Sequence, residues 1–155
     1  MSKYTYFKYT IYEVRNVTVT FFGHHDASES LLPTLRKVLA HLIEHQGANR
    51  FYIGNQGHFD FLVKRTLDEI SVQYPHIQIT VVLAYFPVAS SIVQKNTILP
   101  DGLESVPPRL AIYKRNEWML SQADIVVTHV IHPAGGAAIF KEKAEKKNKT
   151  VINIK

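Results

Sequence analysis

Four short stretches of this chain carry the residue types that do chemistry. Gly23-His24-His25-Asp26 sets two imidazoles beside a carboxylate. Such a group can hydrogen-bond a base, bind phosphate, or serve as acid and base near neutral pH. Gly54-Asn55-Gln56-Gly57-His58 places two glycines among amide side chains, which both donate and accept and so suit a ribose or base edge. In Thr128 to Gly136, THVIHPAGG, His132 precedes the paired Gly135 and Gly136. Without Cβ atoms these glycines let backbone N–H groups approach a ligand, at the start of a helix where phosphate or carboxylate oxygens are favoured. Arg115 and Asn116 add a forked guanidinium, suited to the same anions, and an amide. Each stretch also has a purely structural explanation in turn glycines, a helix cap, exposed histidines and internally satisfied polar groups. Their positions at strand ends favour a site.

The elements that must position these residues follow from periodicity. Residues 4 to 15 alternate aromatic or apolar with polar types, which predicts an extended edge strand or partner-facing arm. Val17 to Phe22 is a stronger strand, and Asp26 with Glu29 has the capping-box spacing of a helix start. Leu31, Leu32, Leu35, Val38, Leu39, Leu42 and Ile43 recur at helical spacing, so a helix runs from Ser28 to Gln46 and stops at Gly47. Asn49 to Ile53 is a strand, Phe59 to Tyr74 a helix closed by Pro75, and Ile77 to Ala84 a central strand. Tyr85 to Pro108 holds four of the seven prolines without periodicity and reads as one long excursion, a lid or binding loop. A helix from Arg109 to Gln122, a strand from Ile125 to Val127, a helix from Ala137 to Lys147 and a strand from Val151 to Ile154 complete the chain.

Five strands alternating with four helices predict a single α/β domain over residues 1 to 155. It is a Rossmann-like, mostly parallel sheet with helices on both faces, plus the N-terminal edge strand. In such sheets ligands collect beyond the carboxyl ends of the strands. The rule gathers Gly23 to Asp26, Gly54 to His58, Tyr85 onward and Thr128 to Gly136 into one expected site.

Composition narrows the function classes. With 155 residues, 46% hydrophobic and 20% charged, the chain can bury a sizeable core. It has no apolar run of membrane-spanning length and no apolar N-terminal segment, so a cytoplasmic protein with no membrane partner is expected. The absence of cysteine excludes disulfides, thiolate metal sites and a cysteine nucleophile. The net charge of +5 is concentrated in KEKAEKKNK, Lys141 to Lys149, where glutamates interleave with lysines as on a solvated helix face; nucleic acid is a possible partner but not the favoured one. His41-Leu42-Ile43-Glu44-His45 matches a zinc-peptidase spacing, yet both histidines fall off the apolar stripe, and neither a metal nor another cofactor is expected. The aromatic edge strand and apolar helix faces suit a homo-oligomer.

Taken together, VTFFGHHD, RFYIGNQGHFD, RNEWMLSQADIVV and PAGGAAIFKEKA resemble the SLOG superfamily of Rossmann-like proteins, over Val17 to Ile154. That group includes the DNA-processing protein A fold, the LOG phosphoribohydrolases and small YpsA-type proteins. The resemblance implies a pocket for a nucleotide or nucleotide-derived ligand, lined by the strand-end glycine loops. Arg115 with Met119, then Gly135, Gly136 and Glu142, fall where LOG enzymes carry an arginine before a methionine and PGGxGTxxE. Ala138 and Ile139 replace the glycine and threonine of that motif, and Ala134 is inserted before the glycines. Ligand binding is therefore the leading expectation. An N-glycosidase, with Glu142 or Asp26 stabilising an oxocarbenium-like centre, is the alternative, and a nucleic-acid-binding or assembly module is the third.

Overall fold

The computed structural model describes residues 3–7, 10–86 and 96–155. Its organising element is a run of apolar residues that enters the sheet and stops at a glycine: β3, Val17–Gly23, whose interior is buried throughout. Alternate residues of β3 point to opposite faces, which sends Val19 and Phe21 into one core and Phe22 into the other. β3 pairs in parallel with β4 (Ala48–Ile53) on one side and β7 (Ile125–His129) on the other. Beyond them lie β5 (Gln78–Val82), β6 (Thr97–Ile98) and β8 (Thr150–Asn153), giving the order β6-β5-β4-β3-β7-β8, parallel at every pairing. The order reverses between β3 and β7, which opens a crevice at their carboxyl ends.

Helices cover both faces. α1 (Leu32–Gln46) buries Leu35, Leu39, Leu42 and Ile43, and α2 (His58–Ile70) buries Phe59, Leu62, Val63, Leu67 and Ile70 against the same face of the sheet. α3 (Pro108–Gln122) and α4 (Gly136–Lys146) cover the opposite face with Met119, Leu120, Phe140 and Ala144. Gly47 ends α1 in the left-handed region at φ 72°, as the spacing predicts.

Three local expectations are corrected. The helix start is capped by Ser28, whose hydroxyl accepts from the Ser30 N–H; Glu29–Leu31 then form a 3-10 turn ahead of α1, so Asp26 is not the cap. The excursion after Tyr85 is not without structure: Thr97–Ile98 adds a sixth parallel strand beside Val81 and Val82, and Leu103–Ser105 forms a 3-10 turn. Its residues 87–95, on which the lid expectation largely rests, lie outside the described residues. On α3 the buried residues are Ala111, Arg115, Met119 and Leu120, whereas Arg109 and Ile112 are exposed. The extended N-terminal segment forms two strands, β1 (Lys3–Phe7) and β2 (Thr10–Val14), paired antiparallel with Lys3 opposite Val14, in a small sheet where both strands are edges.

Candidate functional site

The register that sets Gly23 opposite His129 brings the loops after β3 and β7 side by side. The His24 N–H donates to the His129 carbonyl at 3.2 Å, and the Ile131 N–H donates to His24 Nε2 at 3.0 Å. With Nε2 accepting, the proton of the neutral ring sits on Nδ1. His132 then stacks face to face on His24, centroids 3.7 Å apart. Burial, followed by His132 and His129, lowers the His24 pKa from 6.5, so the ring is held neutral. From the other side, Asn153 Oδ1 accepts from the Thr128 hydroxyl and the Val130 N–H, while its Nδ2 donates to the Val130 carbonyl. The base of the third loop is thus gripped by two neighbouring strands.

A cleft of about 290 Å³ opens at these strand ends. Gly23, His24, His25, Gln56, Arg115, Asn116, His132, Gly135 and Gly136 all line it. Gly54, Asn55 and Gly57 line an adjoining cleft of about 240 Å³. The glycines have different reasons for being there. A Cβ on Gly23 would lie 2.2 Å from the Phe59 ring, and one on Gly54 would lie 2.8 Å from Asp60 Oδ2 and 3.0 Å from Arg115 Cζ. Gly57 and Gly135 take φ of 88° and 95°, where a side chain is strained. At Gly136 neither applies: a Cβ there would meet nothing among the described residues within 4 Å.

Arg115 is the largest fully buried side chain, at 2% exposure. Its Nε donates to Asn116 Oδ1 at 2.8 Å, and its Nη1 donates to the Val82 carbonyl at 3.0 Å and to Asn55 Oδ1 at 3.2 Å. Nη2 donates to no atom of the described residues. Across the cleft, no side chain among the described residues caps the first turn of α4, so its leading N–H groups are also open. A buried guanidinium and a helix N-terminus facing one cavity are groups whose chemistry favours an anion.

Asp60 is the residue that sequence reasoning missed. It sits in the first turn of α2 and accepts the Gln56 N–H at 2.9 Å through Oδ2. Burial pushes its carboxyl up to about 6, against the opposing pull of that hydrogen bond and of Arg115. The signal available in the sequence was an aspartate three residues into a helix that begins on a strand-end glycine loop.

Neither expected catalytic carboxylate lines the clefts. Glu142 lies on the outer face of α4, opposite the buried Phe140 and Ala144, and pairs with Lys146 at 2.9 Å. Asp26 is exposed beyond the cleft and reaches it only as a charge that raises the His24 pKa. His41 and His45 are exposed on α1, and among the described residues no group of three or more His, Asp or Glu side chains could hold a metal ion.

No protein-family model matches the chain, and no curated protein sequence matches it significantly. Among solved structures it is similar to DNA processing protein A from Streptococcus pneumoniae, with a TM-score of 0.65 and 16% identity. The match covers 90% of this chain and 50% of that one, so the chain spans about half the length of its structural neighbour. The six-stranded parallel sheet with two helices on each face, taken with that neighbour, gives the chain a Rossmann-like α/β fold.

Proposed function

We propose that the cleft at the ends of β3 and β7 binds a nucleotide or nucleotide-derived ligand through its phosphate. The observation that carries this reading is the Arg115 guanidinium: fully buried, fixed by three hydrogen bonds, with Nη2 unpartnered among the described residues, and lining the same cavity as the open first turn of α4. Asp60 pulls on this cation through space but makes no salt bridge with it among the described residues, and burying a cation without a paired carboxylate costs several kcal/mol, on the order of the ion-burial penalty. An anion entering the cleft would offset that cost. Gly136 supports the same reading, since no packing contact among the described residues requires a glycine there. The neighbouring structure's DNA-processing name does not transfer at 16% identity, and lysines of the basic run are engaged by glutamates, Lys141 with Glu145 and Lys146 with Glu142. Binding of a small ligand is therefore favoured over a nucleic-acid surface. A cytoplasmic location fits this reading. So does self-association through the exposed Leu110, Ile112, Tyr113 and Ile139 of α3 and α4.

Calorimetry and thermal-shift measurements with inorganic phosphate, ribose 5-phosphate, nucleosides and nucleoside monophosphates test it. Phosphorylated compounds are expected to bind and to raise Tm, nucleosides to bind more weakly. Gly136→Ala is expected to weaken binding while leaving Tm of the free protein unchanged or slightly higher. No stabilisation of the wild-type protein by any phosphorylated compound would sink the reading.

A further inference from the structure

Two clefts share one carboxylate. Asp60 lines both the anion-binding cleft and the adjoining one, whose other walls include Gly54, Asn55, Phe61, Lys64 and Val81. The two spaces differ in chemistry. The first ends in Arg115 and the open turn of α4, both electropositive. The second is walled by Gly54, Asn55, Lys64 and Val81 and by Phe61, which is 56% exposed and stacked on His58 with centroids 5.5 Å apart.

Between them Asp60 has an oxygen to spare. Oδ2 accepts the Gln56 N–H, while Oδ1 accepts from no group of the described residues. An ionised carboxylate only accepts hydrogen bonds and repels phosphate oxygens, so the group that fits beside it is a donor such as a hydroxyl. Gly54 makes the arrangement possible, because any Cβ there would strike both Asp60 and Arg115. Gln56 borders the junction, its amide within 3.4 Å of the Tyr85 hydroxyl. From one end to the other, the clefts offer an anion cradle, an acceptor and an aromatic face.

We propose that the two clefts form one bipartite site for a ribonucleoside phosphate. Its phosphate lies at Gly136 and Arg115, its sugar hydroxyls donate to Asp60, and its base stacks on Phe61. The proposal rests on the phosphate-binding reading of the first cleft and adds the orientation and class of the ligand. An exposed aromatic ring is a sequence-tolerant platform for any base, so Phe61 supplies affinity and Asp60 supplies the distinction between ribose and deoxyribose.

Calorimetric titration of the wild-type protein, Phe61→Ala and Asp60→Asn with inorganic phosphate, ribose 5-phosphate, ribonucleoside 5′-monophosphates and their 2′-deoxy counterparts tests the assignment. Wild-type protein is expected to prefer the ribonucleotides to ribose 5-phosphate. Phe61→Ala should weaken the nucleotides about tenfold and leave ribose 5-phosphate unchanged, as loss of one base-aromatic stack implies. Asp60→Asn should weaken the ribonucleotides and bring their affinity towards that of the deoxy forms. If ribose 5-phosphate binds as tightly as the nucleotides, or both variants bind every compound like the wild type, the bipartite site is overturned and the phosphate site stands. If the wild-type protein binds none of the four classes, the phosphate site falls as well. Phe61 is exposed and the Asp60 replacement is nearly isosteric, so a Tm that is not lowered separates lost contacts from lost fold.

Discussion

His24 and His132 lie ring against ring, 3.7 Å between centroids and 9° from parallel. The inner ring, His24, also receives the Ile131 N–H, so protonating it would break that bond and set two imidazoles in repulsion.

Burial and the neighbouring histidines hold the His24 pKa below 6.5. A histidine whose folded pKa lies below its unfolded value stabilises the fold above about pH 6.5, and that contribution is lost as pH falls through the folded value. Acidification is therefore expected to release the Ile131–Pro133 segment before the protein unfolds. Following the Ile131 amide and the His24 ring by NMR from pH 8 to 5 checks this. A His24 ring that titrates at or above 6.5 contradicts it.

Asp60 has the opposite sign. An acid raised from 3.8 to about 6 in the folded protein is penalised when ionised, so stability should fall as pH rises between those values. By the linkage relation the fall is at most about 3 kcal/mol, reduced by solvent screening of a half-buried group. Urea unfolding of wild type and Asp60→Asn across pH 4 to 7 measures it. The variant should lack this part of the slope, leaving the contribution of His24.

Gly23 and Gly136 make a matched pair. Gly23→Ala pushes a methyl into the Phe59 ring, and overpacking of this kind costs about 1–3 kcal/mol or more. Gly136→Ala meets nothing and improves helix propensity, so Tm should hold or rise by about 2–4 °C. Thermal denaturation of the two single variants decides it.

Asn153 binds three atoms at the base of the cleft loop. Asn153→Ala should cost about 1–3 kcal/mol for the polar groups left unpaired. Hydrogen exchange at Val130 should quicken more than exchange in α1. Equal change in both would mean a merely global effect.

Much of the fold was legible because burial on both faces of a parallel sheet leaves continuous apolar runs such as Val17 to Phe22 and Ile125 to Val127, bounded by glycine. The strand-end rule grouped the loops of His24, Gln56, His132 and Gly135, and these residues line one cleft together with Arg115 of α3. What escaped was set by pairing and by side-chain direction. Thr97–Ile98 is a strand only because β5 offers it an edge, and two residues carry no period of their own. Glu142 matched a spacing, but the buried Phe140 and Ala144 fix the rotation of α4 and turn it outward. Asp60 looked like an ordinary first-turn aspartate until Gly54 was seen to let it meet Arg115.

The sheet divides the protein into two separately packed cores, α1 with α2 on one side and α3 with α4 on the other. Asp60 and Gln56 reach the cleft from the first layer, Arg115 and Gly136 from the second. A molecule held by both groups would act as a rivet through the laminate. Its arrival would stiffen two layers that pack on opposite faces of the sheet, and amide protection would rise in α2 and α4 together.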